Sequence, residues 1–175
     1  MQSDQETYFF SLDFNIAGQS LPPINAAELV MKHPDLAWGV IIFDAFVMNG
    51  DRHPANIAYD VSTDKVQIFD HSHAFLSPAG DIKTNLANRE NNLAVGSHCL
   101  VQEINNTQGM SPWLDRVKLI PDYFIDGVIS AGCACGIPAS EQSFLNDFMK
   151  KRRDKLSDLF KANMNSFPKL PKVQP

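Results

Sequence analysis

Leu36-Ala-Trp-Gly-Val-Ile-Ile-Phe-Asp-Ala-Phe-Val-Met48 is apolar on almost every side of a helix. Leu36, Trp38, Val40, Ile41, Ile42, Phe43, Phe46 and Val47 leave no polar face to meet water, so the rest of the chain must enclose this segment. The stretch is too short for a membrane span, and Asp44 interrupts it. The expectation is a central buried helix from about Leu36 to Met48, N-capped by Asp35. Asn49-Gly50 ends it, with Gly50 free to take a left-handed C′ conformation. A chain of 175 residues that is 44% hydrophobic has enough apolar material to wrap such a helix, as one domain or part of one. A net charge of -5 argues against a nucleic-acid binder, which usually carries a basic face.

Other elements arrange themselves around that helix. Asn25-Ala-Ala-Glu-Leu-Val-Met-Lys-His33 reads as a short helix with Asn25 as its N-cap. Ile57–Asp60 and Lys65–Phe69 read as two strands joined by a turn at 61–64, a hairpin. One helix is expected around Lys83–Leu93 and another from Pro112 to Ser130, broken by Gly132 to Pro138. A last helix runs from Ser140 to about Met164, with Phe144, Leu145, Phe148, Leu156, Leu159 and Phe160 inward. Its Lys150-Lys-Arg-Arg153 run reads as a solvated face. Residues 1–25 are irregular apart from a strand-like Thr7-Tyr8-Phe9-Phe10. Residues 166–175 are a Pro-rich, loosely docked tail. The fold class is α+β, mainly helical. Cys99, Cys133 and Cys135 have no zinc spacing and read as thiols of a reducing, cytoplasmic compartment; no signal peptide or membrane span is expected.

Chemistry concentrates where the central helix ends. Asp51 lies five residues before Asn56, and Asn56 fourteen before Asp70, which follows the second strand. A hairpin that runs out and back would return Asp70 to Asn56. This layout suits phosphoryl transfer. One carboxylate, Asp51, orients an acceptor hydroxyl and takes its proton, while Asn56 and Asp70 offer hard oxygens to magnesium on the phosphates of ATP. A second set at similar spacing, Asp44, Asn49 and Asp64, is set aside: Asp44 lies inside an apolar helix and Asp64 in a hairpin turn, so the set is not expected to converge.

Gly50-Asp51-Arg52-His53-Pro54-Ala55-Asn56-Ile57, followed by Ile68-Phe69-Asp70-His71, resembles the catalytic and metal-binding loops of atypical kinases. These are the phosphatidylinositol 3-/4-kinase-like enzymes and, more closely, the bacterial HipA-like kinases. The likeness covers residues 7 to 80 well and the helical remainder loosely. It implies a protein-kinase-like C-terminal lobe over residues 26–165, with residues 1–25 near the hinge between lobes. It implies Asp51 as catalytic base, Arg52 and His53 as loop-shaping or phosphate-proximal residues of the catalytic loop, and Asn56 and Asp70 as the magnesium and ATP site. The acceptor it implies is a protein Ser/Thr, with an inositol lipid as the alternative. Ser72 departs from the glycine common after Asp-His. No lysine precedes Lys32 and no Gly-rich phosphate loop is present, so the resemblance is to the C-terminal lobe alone. An N-terminal lobe is then expected from a longer protein or a partner chain, with exposed apolar surface beside the cleft. The alternative is a non-catalytic regulatory or binding module on a kinase-like scaffold.

His71 and His73 beside Asp70 have the spacing of a transition-metal pair, but no third or fourth ligand stands out, and His71 reads as a spacer. His33 and His98 read as surface or cap residues. Trp38 and Trp113 read as core anchors. No Gly-x-Ser-x-Gly elbow is present, and Cys99 has no evident base partner, so hydrolase chemistry is not expected.

Overall fold

The computed structural model describes residues 23–60, 62–76, 82–134 and 137–171. The strand expected at Thr7–Phe10, the hinge-proximal segment up to residue 22, and Cys135 lie outside the described residues. The rest is mainly helical with one two-stranded antiparallel sheet. The helices are α1 (Ala26–Lys32), α2 (Pro34–Val47), α3 (Ile82–Ala87), α4 (Met110–Lys118), α5 (Asp122–Ala134) and α6 (Gln142–Ala162). The hairpin is β1 (Ile57–Asp60) and β2 (Lys65–Ile68), with Ile57 opposite Ile68 and Asp60 opposite Lys65.

Helix α2 is the axis of the molecule. It packs against α1, α4 and α6, and α5 lies on α6. Ala37, Trp38, Ile41, Ile42 and Ala45 have no exposed surface, as a helix apolar all round requires. Gly39 lets α4 come close: a Cβ there would lie 2.6 Å from the Trp113 ring. Trp38 donates its indole N–H to the Asn106 carbonyl and lies against Phe160 and Phe167. Trp113 is only partly buried, and the Arg116 guanidinium stacks over it. Among the described residues, no helix is long and apolar enough to cross a membrane.

The ends of α2 differ from expectation. His33, not Asp35, sits at the N-cap position, with Pro34 opening the helix and Asp35 in its first turn. Pro34 lacks the N–H that a first-turn residue leaves unused, so it starts the helix without cost. At the other end Met48, not Gly50, takes the left-handed conformation, at φ 54°. That backbone costs a non-glycine residue about 1–2 kcal/mol. Full burial of the Met48 side chain offsets it, and the turn lets Asn49 N–H bond the Asp44 carbonyl. Asn25 does cap α1, accepting from Glu28 N–H.

The expected helix from Pro112 to Ser130 is two helices, α4 and α5, separated at Leu119 to Pro121. Pro121 has no N–H to continue the ladder and pushes its predecessor out of the helical region. The helix expected at Lys83–Leu93 stops at Ala87, where Asn88, Asn91 and Asn92 favour turns over helix. Residues 166–171 stay with the body: Phe167 and Leu170 are buried, where composition predicts a loose tail.

The basic run of α6 is solvated only in part: Lys151 is exposed, but Arg152 is not. Arg152 is 3% exposed and donates to the carbonyls of Ala45, Glu90 and Asn92. It thus places a cation on the C-terminal end of α2, where the helix dipole is negative. Among the described residues no carboxylate bonds it, and burial lowers its pKa to about 10. Arg153 bonds the Ile120 carbonyl and Asp122. Arg152→Met should therefore lower unfolding free energy by about 2–3 kcal/mol, because several buried carbonyls lose a charged donor. Lys151→Met on the same helix should change it by less than about 0.5 kcal/mol, as an exposed site does. Urea denaturation of the pair checks both.

Candidate functional site

Where α2 ends, the chain makes a tight loop from Asn49 to His53 and then a 3₁₀ turn, Pro54–Asn56, that leads into β1. His53 N–H bonds the Asp51 carbonyl, and Asn56 N–H bonds the His53 carbonyl. The loop is anchored on both sides. Ile24 N–H bonds the Pro54 carbonyl, and Cys99 N–H bonds the Arg52 carbonyl. The hairpin returns Phe69 N–H onto the Asn56 carbonyl at 3.1 Å. It therefore delivers Asp70 to the loop that carries Asp51 and Asn56.

Asn56 is 6% exposed, and its amide nitrogen donates to the Asp51 carbonyl. That bond fixes which way the amide faces and leaves Oδ1, among the described residues, as an acceptor without a hydrogen bond. Asp70 is exposed and sits at φ 53°, a left-handed backbone rare outside glycine. Its Oδ1 accepts from both the backbone N–H and the hydroxyl of Ser72. Those bonds, and then the nearby charges of His73 and His53, hold its carboxyl below the usual carboxylate range. Asp51 is 43% exposed, with Oδ2 3.6 Å from His73 Nε2. The Asp51 carboxylate thus pairs with an imidazole at the protein surface. His53 is exposed at the same loop.

Of the two roles the resemblance implies for Arg52, its position suits loop-shaping and not proximity to phosphate. It has no exposed surface, so it is out of reach of any substrate. All five of its N–H groups are used. Nε and Nη2 bond the two oxygens of Asp44 at 2.8 and 2.9 Å. Nη1 bonds the carbonyls of Asn56 and Phe69, at 3.1 and 2.6 Å, and Nη2 also meets His71 Nδ1 at 3.0 Å. One planar cation therefore grips both functional loops. His71, called a spacer from sequence, is one of its acceptors. Burial, and then the Arg52 charge, push the His71 pKa down.

Asp44, also without exposed surface, completes the arrangement. Besides Arg52 it accepts from the Asn49 amide at 3.0 Å and from His98 Nε2 at 3.1 Å. So Asp44 and Asn49, set aside as unable to converge with Asp64, do meet each other. Asp64 stays apart at the hairpin turn with His33 and Tyr59. His98, expected at the surface or at a cap, is 1% exposed. Its Nδ1 accepts from Leu100 N–H, so Nε2 carries the hydrogen given to Asp44.

This buried cluster sets a pH dependence. Burial pushes the His98 pKa below its ordinary 6.5. Burial pushes Asp44 up, but the hydrogen bonds from Arg52 and His98 outweigh it and leave the carboxyl below its ordinary 3.8. On acidification from neutral pH the unfolded chain takes up a proton at His98 near pH 6.5, and the folded one does so only at lower pH. Stability therefore falls as pH drops below about 6.5, with His71 adding in the same window, and falls again below about 4 as Asp44 is titrated. The slope can approach about 1.4 kcal/mol per pH unit for each group. Denaturant unfolding between pH 7 and pH 5 should show the loss, and His98→Gln should reduce its slope.

An apolar groove of about 440 Å³ adjoins the loop, lined by Ile42, Phe43, Phe46, Phe75, Trp113 and Val117 among others. Phe43 meets the His71 ring edge-on, so groove and site share a wall. Phe124 and Val128 on its rim are more than half exposed. Among the described residues, no group of three His, Cys, Asp or Glu could hold a metal ion, so the His71/His73 pair gains no further ligands of that kind. Cys99 is half-buried and burial raises its thiol pKa to about 11, so it is not a poised nucleophile. No protein-family model matches the chain, and neither does any curated protein or solved structure.

Asp51, Asn56 and Asp70 were the residues singled out from sequence, and the hairpin gathers the loops that carry them. Asp44 and His98 were not. A lone carboxylate in an otherwise apolar helix was the available signal, since burying it demands a cation.

Proposed function

We propose that this chain is the C-terminal lobe of an ATP- and magnesium-dependent kinase that transfers phosphate to a protein Ser/Thr. The observation that carries the reading is the bond from Phe69 N–H to the Asn56 carbonyl. Through it the hairpin sets Asp70 beside the Asp51–Asn56 loop, at a solvent-facing edge. In this reading Asp51 orients the acceptor hydroxyl and takes its proton. Asn56 Oδ1 and the Asp70 carboxylate hold magnesium. Two hard protein oxygens, with waters and phosphates for the rest, are the donor set this ion uses. The ion's contribution, when bound, is to neutralise charge on the transferring phosphate. The bonds from Arg52 Nη1 to the Asn56 and Phe69 carbonyls, with that from Phe69 N–H to the Asn56 carbonyl, keep the two loops in register. Ionised Asp70, held so by Ser72, is ready to bind a cation at neutral pH.

A nucleotide-clamping lobe, from a longer protein or a partner chain, is part of the proposal. The exposed apolar groove beside the loop suits a protein that works with a further body. The test has two arms. Mn²⁺–ATP is titrated into this chain, reading paramagnetic broadening at Asp70 and its neighbours. Phosphoryl transfer is measured on the full-length or partner-complemented protein. Metal-dependent binding and transfer support the reading. A full-length or partner-complemented protein indifferent to Mn²⁺–ATP overturns it.

A second reading, a non-catalytic module on the same scaffold, draws on one observation. Ser72 occupies an oxygen of Asp70 twice over, where the resembling kinases commonly have glycine. Nucleotide binding without transfer by the complemented protein would select it.

A further inference from the structure

His98 touches neither loop of the proposed site, yet the geometry points to it as a positioning residue for both, acting through Asp44 and Arg52. The inference deepens the phosphotransfer reading and rests on it for its metal-binding arm. The line of contact is continuous. His98 Nε2 donates to Asp44 Oδ2. Both Asp44 oxygens orient the Arg52 guanidinium plane. The opposite edge of that plane holds the Asn56 and Phe69 carbonyls, one residue before Asp70. The neighbour of His98 grips the same loop from outside, by Cys99 N–H on the Arg52 carbonyl.

Counting acceptors shows why His98 matters here. A carboxylate has about four lone-pair sites. Asp44 fills four: Asn49 and Arg52 on Oδ1, Arg52 and His98 on Oδ2. Deleting the imidazole leaves one buried lone pair open and an empty space beside it. The carboxylate can then rotate, and Arg52 has no other anion to follow. Its Nη1 contacts at 3.1 and 2.6 Å would shift with it. The segment around His98 is itself fixed by buried Val95, Leu100, Val101 and Ile104, so the imidazole is held on a rigid support.

The experiment compares His98→Ala with Leu159→Ala, a core truncation in α6 away from the site, and with His98→Gln, whose amide can donate to Asp44. Native-state hydrogen exchange reads the loops without any ligand. In His98→Ala the Asn56, Phe69 and Cys99 amides should exchange about tenfold faster than in Leu159→Ala, once both are corrected for global stability. His98→Gln should recover most of the protection. Mn²⁺–ATP affinity should fall about ten- to a hundredfold in His98→Ala with metal-free ATP binding unchanged, as when a group supporting a metal ligand is removed. If His98→Ala does not fold, His98→Asn, with a shorter reach, takes its place. Phe69 exchange no faster than in the Leu159→Ala control overturns the inference. If the unsubstituted full-length or partner-complemented protein binds no Mn²⁺–ATP, the phosphotransfer reading falls, and the exchange comparison still decides the role of His98.

Discussion

Arg52→Met lowers the unfolding free energy by about 3–5 kcal/mol, the cost of stranding a buried carboxylate without its cation. Asp44 would keep only the Asn49 amide and the His98 imidazole, neither of which carries a full positive charge. Three further acceptors, the carbonyls of Asn56 and Phe69 and the His71 ring, would lose their donor at the same time. Arg52→Lys should recover little, because one ammonium cannot reach the five acceptors that a planar fork serves. The double variant Asp44→Leu/Arg52→Met removes the buried charge altogether and should regain part of the loss. Its loops should remain loosened, since nothing then joins Asn56 to Phe69 but one backbone bond. Urea unfolding of the three variants, with exchange at Phe69, separates the two effects. A single variant as stable as the parent would mean the cluster is solvated, contrary to its burial.

How much of this was legible in advance follows from the range of the forces involved. The burial of α2, the hairpin and the gathering of the Asp51, Asn56 and Asp70 loops follow from local pattern. Periodicity marks one, turn chemistry the second, and strand reversal the third. The misplaced features all depend on partners far along the chain. Met48 can take a left-handed backbone because its side chain fills the core. Arg152 goes inward because the end of α2 offers carbonyls to a helix more than a hundred residues later. His98 looks like a surface residue until Asp44 is placed 54 residues before it. Backbone strain tells a similar story: Met48, Asp70 and Phe75 all have positive φ and all flank the candidate site. Such positions persist only where surroundings over-determine them, and sequence propensity alone argues against them.

The other large effect separates the two carboxylates by role. On the proposed phosphotransfer reading, Asp51→Asn in the complemented protein should cut phosphoryl transfer by about a hundred- to ten-thousandfold, the usual worth of a positioned base. It should leave Mn²⁺–ATP affinity nearly unchanged, because the proposal assigns the metal to Asn56 and Asp70, while the Asp51 carboxylate meets His73. Asp70→Asn should do the reverse in binding. It trades an anion for a neutral amide at the metal, so metal-dependent affinity falls along with transfer. Neither change should cost much stability, since both side chains are exposed to solvent. Unfolding curves therefore serve as the control that the loss is chemical. Transfer that survives both Asp51→Asn and Asp70→Asn would remove the carboxylates from the reaction and the kinase assignment with them.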